Sequence, residues 1–334
     1  MPFVDGIDSQ LAAQLRRAGL LSAEEPVIAT SLTGGVSSQI WLVESRNGAF
    51  CVKRALAKLK VVDEWTVPVS RNAFERDWYA TMAERCPGIA PRVLGSGGDN
   101  WFAMEYFPPA TCTLWKTELL AERVNVGFAG MVGASLAAAH AATAGDAALK
   151  EHFGTDSLFV QLRLDPYLRQ AGRVHPDLAA RLERLCDRSL AKKLALVHGD
   201  VSPKNILATP RGAVFLDAEC AWYGDPAFDV AFCLNHLLLK CVAVPAVARS
   251  LTAAFDALAD AYLAGVDWEP SAQLEARAAT LLPALMLARV DGKSPVEYIK
   301  ADEDRDRVRK VAREAILSPQ ALLSEIRSLW QDHR

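Results

Sequence analysis

A short island of apolar segments, from residue 194 to 217, constrains the fold of this 334-residue chain more than any other feature. It reads LALVHGD, then NILAT, then AVFLD, and each apolar run has the length of a strand. Asp200 and Asp217 follow the first and third runs, and Asn205 begins the second. We expect these side chains to lie at strand ends and turns, where they can converge on one place.

The three polar side chains have the composition of a site for phosphoryl transfer. This reaction needs a carboxylate that takes the hydroxyl proton and oxygen ligands for a Mg²⁺ that bridges the phosphates. An amide ligand at Asn205 limits the negative charge beside a triphosphate. The simpler alternative is that Asp200 and Asn205 only cap turns. The occurrence of all three residues at the expected spacing, next to apolar runs, favours the chemical interpretation.

The rest of the chain divides into a β-rich part followed by a helical part. Asn47-Gly48 between two apolar runs is typical of a β-hairpin. Residues 71–85 have a helical pattern, and the Pro108-Pro109 pair marks a boundary. Long patterns rich in Ala and Leu dominate the remainder, so we expect two domains, residues 1–107 and 108–334.

The motif H-G-D-x-x-x-x-N, followed by an apolar run and L-D-x-E, resembles the aminoglycoside phosphotransferase and choline kinase superfamily over about residues 32–289. This resemblance implies an α+β, bilobal, protein-kinase-like fold with a small antiparallel-sheet lobe containing one helix and a larger, mainly helical lobe. It implies ATP and Mg²⁺ as cofactors, Asp200 as catalytic base, and Asn205 and Asp217 as magnesium ligands. Asp229 matches a family residue that begins a helix and braces the catalytic loop, where the helix dipole favours a carboxylate.

The same resemblance implies a nucleotide site in the first domain. Lys53 follows a glycine turn on a strand, as a phosphate-binding lysine does in kinases, and Glu75 is its preferred partner over Asp77 and Glu84. Alternatively, Lys53 is an ordinary strand lysine, and a Gly-Gly hairpin turn needs no ligand. The segment 104–107 resembles the hinge that binds adenine. The complete set of expected nucleotide-binding residues is Gly34, Gly35, Ser37, Lys53, Glu75, Glu105 and Phe107.

The segment after the metal loop argues against a protein kinase. Asp217 is followed by Ala-Glu instead of Phe-Gly, and only seven residues separate Glu219 from Ala227, which leaves no room for an activation loop. We therefore expect a kinase that phosphorylates a hydroxyl of a sugar, an aminoglycoside or an amino alcohol. The alternative is a nucleotide-binding regulator without phosphotransfer, although such proteins usually lack one of the essential groups that are all present here.

Three residues are candidates for substrate contact. The segments around Lys53, 86–94 and 286–292 are similar to methylthioribose kinases, and the last resembles a helix that directs an arginine at the substrate, here Arg289. A salt bridge at the helix end is the alternative for Arg289. Glu219 offers negative charge to an aminoglycoside, and Trp222 offers an aromatic face to choline.

Charge and composition limit the remaining possibilities. The chain has 37 basic and 40 acidic side chains, so it lacks the basic character of nucleic-acid-binding domains. Its seven cysteines are scattered and its N-terminus lacks the pattern of a signal peptide, so we expect reduced thiols and a cytoplasmic location. The apolar stretch 124–142 contains Asn and His residues and is interpreted as a core helix, not a membrane span. The oligomeric state is not predicted.

Overall fold

The protein folds into two compact units, Met1–Thr111 (unit 1) and Cys112–Arg334 (unit 2). The computed structural model describes residues 6–23, 26–32, 38–56 and 68–333. The boundary between the units follows soon after the Pro108-Pro109 pair. Unit 1 is built on an antiparallel sheet and unit 2 is mainly helical, so the predicted α+β class is confirmed.

Unit 1 contains a five-stranded sheet in the order β1-β2-β3-β5-β4, with every neighbouring pair antiparallel. Gly48 forms the predicted hairpin turn between β2 and β3 with φ 114°, a conformation that glycine adopts without steric cost. The elements of this unit are α1 (Ser9–Arg17), β1 (Ile28–Leu32), β2 (Ser38–Ser45), β3 (Gly48–Ala55), α2 (Arg71–Arg85), β4 (Val93–Ser96) and β5 (Trp101–Glu105).

Successive side chains of β3 point to opposite faces of the sheet, so they contact different helices. Val52 lies in the core together with Leu15 of α1. Its neighbour Lys53 therefore points to the opposite face of the sheet, on which α2 packs against β3 and β5. Phe102 of β5 pairs with Lys53, and its ring meets Tyr79 of α2 edge to face at 5.9 Å. The pleat of the strand thus carries the ammonium group of Lys53 towards α2.

Unit 2 surrounds two small antiparallel sheets, β6-β8-β9 and β7-β10, with helices. Short 3₁₀ turns lie at Pro203–Asn205 and Pro245–Val247. The other elements are β6 (Thr113–Leu114), α3 (Trp115–Leu120), α4 (Val126–Thr143), α5 (Ala147–His152), α6 (Asp156–Phe159), a π-helix (Val160–Arg169), α7 (Gln170–Val174), α8 (Ala179–Ala191), β7 (Ala195–Val197), β8 (Ile206–Thr209), β9 (Gly212–Phe215), β10 (Trp222–Gly224), α9 (Ala227–Ala243), α10 (Ala248–Ala264), α11 (Ser271–Asp291), α12 (Asp302–Leu317) and α13 (Leu323–Asp332).

Helix α4 is unusually apolar because it packs along α10. Within the described ranges it alone is long and apolar enough to cross a membrane by length and composition, and half of it is buried inside the protein. Helix α9 with the segment Pro245–Ala264 meets the same criterion only as a broken span, bent by 118°. The apolar side chains Phe128, Val132 and Leu136 of α4 are buried in unit 2.

Replacing Gly133 of α4 with alanine is expected to destabilise the protein by about 1–3 kcal/mol. A Cβ at this position would lie 2.2 Å from the carbonyl oxygen of Leu258, so α4 and α10 would have to separate. Gly130→Ala is the matched control, because its Cβ would come no closer than 3.7 Å to Ala257, and alanine stabilises a helix interior by up to about 1 kcal/mol. Urea denaturation measures both, and equal free energies of unfolding would contradict the close approach.

Candidate active site

The loop His198-Gly199-Asp200 leaves β7 and folds tightly against the backbone of Cys220. Gly199 has φ 78°, and a Cβ there would lie 2.5 Å from the carbonyl oxygen of Cys220. Both the left-handed backbone and the close approach require glycine. The glycine of the H-G-D sequence is therefore required for steric reasons, whereas Asp200 is there for its chemistry.

Asp229, in the first turn of α9, holds this loop through two backbone hydrogen bonds. Its Oδ2 accepts from the N–H of His198 at 2.7 Å, and its Oδ1 accepts from the N–H of Gly199 at 2.8 Å. The ring Nε2 of His140 lies 3.3 Å from Oδ2. Asp229 is completely buried, and these contacts agree with the bracing role that was predicted for it.

His198 connects the peptide of Asp200 to the strand that precedes Asp217. Its Nδ1 accepts from the N–H of Asp200 at 3.1 Å, so its Nε2 carries the proton and donates to the carbonyl of Leu216 at 3.0 Å. Burial lowers the pKa of His198, although the charges of Asp229 and Asp200 oppose this effect. The ring is therefore a neutral structural link between the two predicted catalytic segments.

The two carboxylate oxygens of Asp200 have different surroundings, and the residue is only 2% exposed. Its Oδ2 accepts from Arg163 at 2.9 Å, from Lys204 at 3.0 Å and from the amide nitrogen of Asn205 at 2.9 Å. Its Oδ1 is buried and has no hydrogen-bond partner in the part of the chain that the structure describes. One oxygen is thus fixed by three donors, and the other is left to accept from a ligand, because buried polar atoms normally have a partner.

Charge keeps Asp200 ionised despite its burial. Burial and the nearby carboxylate of Asp217 would raise the pKa of Asp200, but the charges of Arg163 and Lys204 outweigh them and lower it. A carboxylate with a lowered pKa is a weak base, so it contributes mainly by orienting a hydroxyl and by accepting its proton in the transition state.

Sequence analysis missed two residues of this site, Arg163 and Lys204. Arg163 lies in the π-helix, which also contains Pro166; such helical irregularities are frequent at functional sites, but no local pattern revealed this one. Lys204 stands directly before Asn205 within the motif itself, and the 3₁₀ turn of residues 203–205 brings its ammonium back to Asp200. The position of a basic residue inside the motif could have indicated that Lys204 belongs to the site.

Asn205 and Asp217 have the character of magnesium ligands. Asn205 donates through its amide nitrogen to Asp200, and no hydrogen bond within the described ranges uses its Oδ1. Asp217 has φ 65°, and strained residues of this kind are concentrated at functional sites. One amide oxygen and one carboxylate oxygen, completed by phosphate and water oxygens, fit Mg²⁺. Among the described residues there is no cluster of three or more His, Cys, Asp or Glu that could hold a metal.

In unit 1, Lys53 and Glu75 form a buried ion pair. The Nζ of Lys53 lies 2.6 Å from Oε2 of Glu75, and the two side chains are 3% and 1% exposed. The hydroxyl of Tyr79 donates to the other oxygen of Glu75 at 2.7 Å. Asp77, a competing acid on α2, instead pairs with Arg76 at 2.8 Å. The structure therefore brings together the two residues that were predicted to pair.

Of the other predicted nucleotide-binding residues, the structure describes only Glu105 and Phe107. Gly34, Gly35 and Ser37 lie outside the described residues. Glu105 ends β5, and its N–H donates to the carbonyl of Arg92 at 2.9 Å, so this N–H is already engaged within unit 1. Phe107 lies just after the strand and is partly buried. Their contact with adenine stays a prediction.

The three predicted substrate residues have very different surroundings. Glu219 is buried and follows Asp217 in the same loop. Trp222 is completely buried, stacks on Phe159 at 4.1 Å and donates its N–H to Asp156. It is a core residue with no surface to offer a substrate, which corrects the expectation of an aromatic cage. Arg289, on α11, is 7% exposed.

A protein-family model described as the phosphotransferase enzyme family (APH) matches residues 28–274, which is most of the chain. The chain belongs to this family. The matched segment contains the site residues discussed above from Lys53 to Asp229, including the catalytic loop, and ends before Arg289. The predicted membership is thus confirmed.

Curated relatives of this phosphotransferase include the methylthioribose kinase of Yersinia enterocolitica, which is 26% identical over 232 residues. The match covers 61% of this chain and 57% of that enzyme. The chain thus spans less than two thirds of the length of the curated relatives that it matches first. The similarity to methylthioribose kinases agrees with the resemblance found in the sequence.

Solved structures confirm the kinase-like fold of this family member. An amicoumacin kinase in complex with AMP-PNP, Ca²⁺ and Ami has a TM-score of 0.57 at 14% identity, over 95% of this chain and 96% of that one. The Plasmodium vivax ethanolamine kinase has a TM-score of 0.56 at 15% identity, over 91% of this chain and 83% of that one.

Proposed function

We propose that this phosphotransferase is a small-molecule kinase that transfers the γ-phosphate of ATP to a hydroxyl group of its substrate. The observation that carries the proposal is the asymmetric environment of Asp200, whose Oδ2 is held by three donors while the buried Oδ1 has no partner among the described residues. A ligand hydroxyl would supply the missing donor to Oδ1. Family membership provides independent support.

Each of the charged and polar groups of the site would then have a separate part in the reaction. Asp200 orients the acceptor hydroxyl through Oδ1 and takes its proton as the new P–O bond forms. Asn205 and Asp217 would hold Mg²⁺, which would neutralise charge on the phosphates. Lys53, which is fixed by Glu75, binds phosphate oxygens as a point charge. Catalysis in such a site consists mainly of positioning and electrostatic stabilisation.

The acceptor is proposed to be a small molecule and not a protein. The names of the relatives and structural neighbours specify methylthioribose, ethanolamine and amicoumacin kinases. The short connection between Glu219 and Ala227, which leaves no room for an activation loop, supports the same interpretation.

An ATP-consumption screen tests the proposal. The full chain would be incubated with Mg²⁺-ATP and panels of neutral sugars, amino alcohols, aminoglycosides and hydroxy acids, with the Asp200→Asn variant as the blank. At least one hydroxyl compound should stimulate ATP turnover in the wild type only. Equally slow turnover with every compound, in both proteins, would instead support a nucleotide-binding regulator.

A further inference from the structure

A second polar cluster lies in the core of unit 2, on helices α9 and α11 and the segment after α11. Lys240 and His236 of α9 both contact Tyr298, with Nζ and Nδ1 at 3.5 and 3.1 Å from its hydroxyl. Lys240 also lies over the Tyr298 ring, 4.6 Å from its centroid. Arg289 of α11 donates through Nη1 to the hydroxyl of Tyr167 at 3.1 Å and to the carbonyl of Ser294. We call Lys240, His236, Arg289 and Tyr298 the basic cluster.

The basic cluster contains two buried cations that have no anionic partner among the described residues. Lys240 is 1% exposed and Arg289 is 7% exposed, and neither forms an ion pair with a carboxylate of the described residues. The Nε of Arg289 is buried and has no acceptor in that part of the chain. All of the hydrogen bonds of this guanidinium use Nη1, which leaves the Nε–Nη2 edge available. This edge is the fork that binds a carboxylate or phosphate with two parallel hydrogen bonds.

The charges that act on the cluster are predominantly positive. Burial, reinforced by the positive charge of Lys116, lowers the pKa of Lys240 to about 7. Burial, reinforced by Arg289 and Lys240, holds the pKa of His236 well below its usual value. The charge of Glu297 acts on Lys240, but this carboxylate pairs with Lys116 and its side chain is 63% exposed. Buried cations that are this poorly compensated are costly to fold, and such sites are often functional.

The basic cluster is close to Asp200. The guanidinium of Arg163, which bonds Asp200, lies over the Tyr167 ring at 5.6 Å from its centroid. The guanidinium of Arg289 lies 5.5 Å from the centroid of the same ring. The arginine that holds Asp200 and the arginine with the open edge thus share one aromatic neighbour, Tyr167. A substrate of a few carbon atoms could place a hydroxyl at Asp200 and another group at Arg289.

We propose that Arg289 and Lys240 bind an oxyanion, a carboxylate or a phosphate, of the substrate whose hydroxyl is phosphorylated. The substrate would accordingly be an acidic hydroxy compound. Its oxyanion would accept from the Nε–Nη2 edge of Arg289 and compensate the charge of Lys240. Polycationic aminoglycosides and choline would be repelled by the same cluster. This inference rests on the proposed kinase function and narrows its substrate class.

The test compares substrates that differ in one charged group. Gluconate is paired with sorbitol, glycerate with glycerol, and glucose 6-phosphate with glucose, and kcat/KM is measured from ATP consumption by the full chain. We expect the acidic member of at least one pair to be favoured by about tenfold or more, because a hydrogen bond to a charged group contributes about 1.5–3 kcal/mol. Preference for gluconate and glycerate indicates a carboxylate, and preference for glucose 6-phosphate indicates a phosphate.

Variants assign the preference to the basic cluster. Lys240→Met removes a buried charge but keeps the length of the side chain, so it should leave the thermal stability unchanged or higher, while the acid-to-neutral ratio of kcat/KM falls about tenfold. Arg289→Met should reduce the same ratio. Arg305→Met, on the more exposed surface of α12, is the matched control and should change nothing.

The outcomes separate this inference from the function on which it rests. Turnover of neutral or cationic hydroxyl compounds in preference to all acidic ones would overturn the oxyanion site and leave the kinase function intact. An acid preference that survives both Lys240→Met and Arg289→Met would also overturn it. No Asp200-dependent turnover with any compound would overturn the kinase function itself.

Discussion

Asp200→Asn is expected to lower kcat by about a hundredfold or more while the affinity for ATP changes little. Asparagine keeps the shape of the side chain, but it can no longer take the hydroxyl proton through Oδ1. Asp200 contacts Arg163, Lys204 and Asn205 of unit 2, so the substitution leaves the ion pair between Lys53 and Glu75 of unit 1 in place. Single-turnover kinetics measure the transfer step, and calorimetric titration with a nonhydrolysable ATP analogue measures binding.

Loss of stability must be separated from loss of chemistry in this variant. The side chain of Arg163 is 7% exposed, and it loses its carboxylate partner when Asp200 is replaced by neutral asparagine, which destabilises the folded state. Assays are therefore run well below the melting temperature of the variant. Asp177→Asn, which removes a more exposed carboxylate paired with Arg313, is the matched control and should retain full activity. A wild-type rate for Asp200→Asn would end the assignment of Asp200 as the base.

The sequence predicted the parts of the site that are encoded locally. The spacing from Asp200 to Asn205 places both in one tight loop, so the amide of Asn205 reaches the Asp200 carboxylate at 2.9 Å. Side chains alternate between the two faces of β3, so Lys53 lies on the face opposite Val52, towards α2. Because α2 is the next helix along the chain, its residue Glu75 could be predicted as the partner of Lys53. Each of these contacts follows from a short segment or from two neighbouring elements.

Contacts between distant segments were not predictable in the same way. Arg163 reaches Asp200 across 37 positions of sequence through a π-helix whose conformation depends on packing. Trp222 lies three residues after Glu219, and sequence alone could not tell whether its ring faces a ligand or the core; stacking on Phe159 decides it. In the part of the chain that the structure describes, Lys240 and Arg289 have no carboxylate partner. This depends on how distant helices pack, so no local sequence pattern predicted it.

Asp229→Ala is expected to destabilise the protein by about 3 kcal/mol or more. The N–H groups of His198 and Gly199 donate to the two oxygens of Asp229, and each would be left buried without an acceptor. An unsatisfied buried donor costs about 1–3 kcal/mol, and His140 loses its contact as well. Chemical denaturation followed by fluorescence gives the free energy of unfolding.

Asp229→Asn distinguishes bracing of the loop from a general effect of cavity formation. Asparagine has nearly the volume of aspartate but only one acceptor oxygen, so it can satisfy one of the two N–H groups and should cost about half as much as alanine. Both variants should lower kcat more than they weaken ATP binding, because the peptide of Asp200 follows directly after the two released N–H groups. If Asp229→Asn were as stable and as active as the wild type, the two hydrogen bonds would not be what holds the catalytic loop.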